Sequence, residues 1–134
     1  MTTIRGSLTS PNNANVILTN IPCDSTVYVG AIVRMTALGV AINALADTEA
    51  NANVIGVVES KATSILCNIR VLGITEEIYL GLDVTKQEFL DWIIPGGLTQ
   101  TIPPSGSGFI MVPIGQPFSS TRLLVFKKDA VKRI

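Results

Sequence analysis

The sequence predicts an all-β domain, a compact antiparallel β-barrel or β-sandwich with at most one or two short helical turns. Three observations carry that expectation. Short apolar runs rich in β-branched residues recur along the chain, as in Val54–Val58 and Leu123–Phe126. Such residues suit a pleated, half-buried surface. Glycine and proline clusters stand between the runs, the densest being Pro95-Gly96-Gly97 and Pro103-Pro104-Ser105-Gly106-Ser107-Gly108. Proline cannot donate to a ladder and glycine supplies positive φ, so both mark strand ends and turns. Finally, no run carries the roughly 10–15-residue helical pattern that parallel βαβ units need.

Taken in order, residues 1–15 lack apolar periodicity and read as an extended arm. Residues 16–126 form the single β domain, and residues 127–134 a basic tail. Within the domain, Val16-Ile17-Leu18 is a short apolar run, turned by Asn20 to Ser25. Val27 to Met35 and Val40 to Ile42 read as a hairpin about Thr36-Ala37-Leu38-Gly39. Ala44 to Asn53 is a loop that tolerates a helical turn. Strands follow at Val54–Val58, at Ser64–Leu72 and, as a new short strand, at Ile74–Tyr79. Thr85-Lys86-Gln87-Glu88 has the spacing of a capping box, which predicts a turn or two of helix through Trp92. The alternative makes Glu88–Asp91 itself a strand. The last strands are Leu98–Ile102, Phe109–Ile114 and Thr121–Lys128. The total is roughly eight to ten strands, a number that suits one barrel or sandwich.

Composition narrows the function. Apolar residues make up 47% of the 134 residues and charged residues 15%, with a mean hydropathy of +0.46. An average soluble chain carries about 25% charged residues. The longest apolar region, Val27 to Ala46, contains Arg34, Gly30, Gly39 and Asn43, which argues against a spanning helix and a membrane partner. Residues 1–15 show no apolar leader core. Burial against other subunits is the better account of the low charge. Several strands, among them Phe109–Val112 and Leu123–Phe126, are apolar on both faces, which points the same way. A formal net charge of zero speaks against nucleic acid as a partner. The basic cluster Lys127, Lys128, Lys132 and Arg133 reads as a solvated tail or, more sharply, as a contact arm onto an acidic neighbour.

Candidate chemistry is sparse. The chain has no histidine, which removes Ser–His–Asp and Cys–His nucleophile arrangements and the usual zinc sites. Cys23 and Cys67 are two lone cysteines; Cys67 sits in an apolar run, and whether the two pair is left open. Glu76, Glu77, Asp83, Glu88 and Asp91 are the acidic candidates for a paired-carboxylate glycosidase site. Aromatic residues are only 5% of the chain, and turn-rich sequence predicts solvent-exposed carboxylates with ordinary pKa values. Trp92 reads as a core or interface anchor, since tryptophan buries a large area. The expectation is therefore no enzyme and no cofactor. Protein-interface candidates are Trp92, Phe109, Met111, Phe118, Lys127, Lys128, Lys132 and Arg133.

The order of motifs resembles a β-rich module of tailed-bacteriophage virion proteins. The residues that carry the likeness run from the hairpin through Arg34-Met35 to Val54-Ile55-Gly56-Val57-Val58 and Val71-Leu72-Gly73. They continue through Gly81-Leu82, Phe89-Leu90, Pro95-Gly96-Gly97-Leu98-Thr99, Pro103-Pro104 and Gly106 to Gly108. Pro113, Gly115, Ser119, Thr121 and Leu123-Leu124-Val125 complete the pattern. Residues 87–94, with Glu88, Asp91 and Trp92, depart from the plainer segment usual there. The resemblance implies a capsid decoration (cement) protein made in the host cytoplasm and mounted on the virion surface. Its partners would be the major capsid protein and further copies of itself, in a trimer. A tail-fibre or tail-attachment module is the runner-up, and a small glycan-processing enzyme the lesser alternative.

Overall fold

The computed structural model describes residues 15–134, so all but the last residue of the expected arm lies outside the described residues. Within them the chain is all-β, with no helix. Eleven strands follow in order: β1 (Val16–Pro22), β2 (Ile32–Met35), β3 (Ala41–Asn43), β4 (Val54–Thr63), β5 (Leu66–Ile74), β6 (Glu88–Leu90), β7 (Leu98–Thr99), β8 (Ile110–Met111), β9 (Pro113–Pro117), β10 (Leu123–Phe126) and β11 (Val131–Lys132). The main sheet runs β3-β2-β4-β5-β10-β9-β6-β7, all antiparallel, with β1 also on β5. β8 and β11 form a small second ladder.

β5 is the hub. One of its edges pairs with β4; the other takes β1 along Leu66–Leu72 and β10 along Leu72–Ile74. The sheet curls until its two ends meet. Ala44 N donates to Ile32 O, Ile32 N to Gly96 O, and Gly96 N to Ala44 O. Ala46 N reaches Asp91 O, and Ile110 N reaches Ala46 O. The segment after β3 is thereby tied to the segment after β6, giving a curled half-barrel.

Two apolar clusters lie on the two faces. Ile32 and Val57 belong to one, with Leu90, Val112, Ile114, Leu123 and Val125. Val33 and Val58 belong to the other, with Cys23, Ala31, Cys67 and Ile69. Successive strand residues point to opposite faces, so β2 and β4 must be apolar on both. In β2 and β4 both apolar faces are thus covered inside the chain, whereas in the expected two-faced runs Phe109–Val112 and Leu123–Phe126 only Ile110, Val112, Leu123 and Val125 enter a cluster, and Phe109, Met111, Leu124 and Phe126 stay half-buried. Cys23 and Cys67 are both free and buried in the second cluster.

Other local expectations shift. The helix predicted from Thr85 does not form; the alternative holds, and Glu88–Leu90 is strand β6 with all three residues buried. Thr85 instead caps a turn, its N and Oγ1 donating to Asp83 Oδ1 at 2.9 and 2.6 Å. Short polar side chains that bond nearby backbone compete with helix in this way. Val27–Val29 lies outside any strand and leads into a turn at Val29-Gly30, and Ile74 closes β5 instead of opening a new strand. Residues 127–134 do not simply trail away. β11 pairs with β8, and Arg133 Nε donates to Pro103 O at 3.2 Å.

Candidate functional site

An open cleft of about 510 Å³ lies between the loop after β5 and the β6–β7 pair, in the range of small-molecule sites. Tyr79, Leu80, Gly81, Leu82, Lys86 and Glu88 form one part of its lining, and Leu98 to Thr101 the other. Strand pairing sets Glu88: it opens β6, opposite Gly115 of β9. A Cβ at position 115 would collide with the Leu124 carbonyl, so glycine is what lets β9 close on β10 beneath the site.

Glu88 is 1% exposed, which contradicts the expectation of a solvated carboxylate. Its Oε1 accepts from Gln100 Nε2 at 2.5 Å. The same Nε2 donates to Asp83 O at 3.2 Å, which fixes the amide across the floor of the cleft. Burial raises the Glu88 pKa; the Gln100 bond opposes this, and the charge of Asp83 adds to it. Asp83 behaves oppositely: the Thr85 hydroxyl and amide hold its pKa below the ordinary carboxylate value. Its Oδ2 lies 4.0 Å from Lys86 Nζ. Tyr79 is anchored by its hydroxyl to Gly30 O at 2.9 Å, and burial raises its pKa.

Chemically, the cleft offers one buried carboxyl, one amide, one ammonium, two threonines and an apolar wall. Glycoside hydrolysis needs two carboxyl groups across one bond. Of the five acidic candidates, only Glu88 lines the cleft. Asp91 is occupied elsewhere, its Oδ1 accepting from Ile93 N and Ile94 N. Glu76 and Glu77 are exposed. Among the described residues, no group of three or more Asp, Glu, Cys or His side chains gathers as a metal would need.

The predicted interface residues fall in several places. Trp92 is half-buried against the first core cluster and stacks on Phe109, ring centroids 6.4 Å apart. Met111 is half-buried in β8. Phe118 is 57% exposed, with the Arg122 guanidinium 6.0 Å from its ring. Lys127 and Lys128 are exposed, the latter with its ammonium 5.5 Å from the Phe126 ring. Lys132 lines a smaller recess of about 290 Å³ with Asp47, Thr48 and Glu49.

Two features escape a reading of motifs. One is a buried ion pair: Arg70 Nη2 and Nε meet Glu59 Oε1 and Oε2 at 2.8 and 3.1 Å. A bulge at Glu59 turns it toward Arg70, and Glu76 N adds a third bond at 2.7 Å. The other is an apolar patch. Tyr28 and Val29 are each 43% exposed, Ile93 is 72% and Ile94 58% exposed, and Tyr28 OH joins the two segments by donating to Pro95 O at 3.2 Å. No family model, no curated protein and no solved structure matches the chain.

Proposed function

We propose that the chain is a non-enzymatic structural protein of a tailed-phage particle. It sits as a trimer on the outer surface of the assembled shell, contacts the major capsid protein and bridges neighbouring subunits. The observation that carries this reading is the patch of Tyr28, Val29, Ile93 and Ile94. Asp91 pins the Ile93–Ile94 backbone, so these side chains are held outward by a fixed turn. Apolar side chains so held remain in water unless a partner covers them. Covering them is worth about 25 cal/mol for each Å² removed from water. A protein that binds only the assembled shell also stabilises it by mass action. The low charge and the resemblance in turn order support the same reading.

Copy number decides it. Hundreds of copies per particle of the encoding phage are expected, and particles stripped of the protein should rebind it and resist heating better. A dozen copies would favour the tail-attachment module, and no copies would remove the virion reading. The fibre alternative takes its own support from the open cleft, which suits a surface that meets a ligand.

A further inference from the structure

We propose that the cleft over β6 and β7 is a binding site for a neutral saccharide, whose hydroxyl groups are taken by Glu88 and Gln100. The proposal stands whether or not the protein is mounted on a particle.

Four features of the site lead to it. Glu88 is almost wholly buried yet lines the cleft. Among the described residues only Gln100 bonds its carboxyl, through Oε1, and no cation is paired with it. A carboxyl buried with one hydrogen bond costs the fold stability, because desolvation is incompletely repaid. Among the described residues its Oε2 has no hydrogen-bond partner, which leaves an acceptor for a donor bound in the cleft that Glu88 lines.

Gln100 is the second feature. Both of its bonds leave through Nε2, so its amide oxygen is a further acceptor beside the carboxyl. Thr99 and Thr101 border the same space with hydroxyls that donate or accept. A sugar presents adjacent hydroxyls that donate and accept in the same way.

Third, the wall is mixed. Tyr79, Leu80, Leu82 and Leu98 give apolar contact beside the polar groups. Leu80 stands at the rim, 92% exposed, where it adds nothing to the core. A sugar ring has a C–H face as well as a hydroxyl edge, and this wall matches the face.

Charge selects the class. Lys86 lines the cleft and opposes an amine, while Glu88 opposes a phosphate or carboxylate ligand.

The test uses the full chain, with ligand-observed saturation-transfer NMR and a protein-observed amide spectrum. The probes are glucose, galactose, mannose and N-acetylglucosamine with their disaccharides, against spermidine and glucose 6-phosphate. Saturation transfer to at least one neutral sugar is expected, with amide shifts confined to residues 79–88 and 98–101. Gln100→Ala and Leu80→Ser should each weaken binding about tenfold or more, the loss of a hydrogen bond or of an apolar contact. Glu88→Gln should weaken binding while raising the thermal midpoint at neutral pH. A merely structural carboxyl would not give that pair of opposite changes. Transfer to none of the neutral sugars overturns the proposal. So does preference for spermidine or glucose 6-phosphate, or sugar binding that Gln100→Ala and Leu80→Ser leave intact.

Discussion

Glu59 and Arg70 meet as a two-point ion pair with side chains only 6% and 7% exposed, completed by the amide of Glu76. A buried pair of this kind is weak evidence of net stabilisation, but removing one partner strands the other charge. Glu59→Gln or Arg70→Met should therefore cost about 3–5 kcal/mol in urea unfolding. The double variant should lose less than the sum of the singles, a coupling that a double-mutant cycle reads directly. Cys67 gives a second prediction at this scale. Burial first, and the neighbouring Cys23 thiol second, push its pKa from 9.0 up to about 12. A folded-state pKa above the unfolded value leaves stability intact below pH 9 and erodes it as pH rises from about 9 toward 12. Cys67→Ala should flatten that alkaline loss. A thiol reagent at pH 8 should label neither cysteine until denaturant is added, because both thiols are buried out of its reach.

At the scale of elements, glycine decides where strands touch. A Cβ at Gly56 would strike the Arg70 carbonyl across β4 and β5, and one at Gly115 would strike the Leu124 carbonyl across β9 and β10. Gly56→Ala and Gly115→Ala should each destabilise the protein by about 1–3 kcal/mol, the usual cost of overpacking. A thermal midpoint unchanged by either would mean the strands are free to separate there. The turn markers were readable in advance for the same steric reason: Gly39, Gly96, Gly106 and Gly108 all adopt positive φ where clusters of small residues and prolines mark turns. Bulges were not. The register shift that re-aims Glu59 leaves no residue signature, because it depends on the partner strand. Nor was the burial of Glu88 readable, since a carboxylate at the head of a three-residue strand looks like the edge of a turn. The signal that was present is its position directly before Phe89-Leu90, between two turns.

Over the whole molecule, the all-β class followed from punctuation and β-branched runs, whereas the reason for the two-faced apolar strands did not. Alternation shows only that both faces are covered. It cannot say whether the cover is the same chain: two internal clusters supply it for β2 and β4, but only one face of Phe109–Val112 and of Leu123–Phe126 enters a cluster. Among the apolar side chains left exposed, the Tyr28, Val29, Ile93 and Ile94 patch is the one the proposed association uses. Ile93→Asp with Ile94→Asp should abolish self-association in sedimentation and occupancy on stripped particles. The thermal midpoint of the monomer should stay within a degree or two, because substitutions at exposed sites change stability little. A midpoint that collapses would instead place these residues in the fold's own core.

β1 and β10 share one edge of β5, end to end, while the other edge carries β4. Under mechanical load this makes the sheet a composite with a seam. Among the described residues β1 is held by one ladder and is mostly exposed, so tension applied at its N-terminal end can peel it away bond by bond at low force. β10 is gripped between β5 and β9, with Leu123 and Val125 locked in the first cluster, and must break in shear. Stretched from residue 15, the protein would yield in two steps, a soft extension of one strand followed by a stiff rupture. A compliant attachment backed by a rigid body is a shock absorber, and optical-tweezer traces would show it as a short early plateau before the main break.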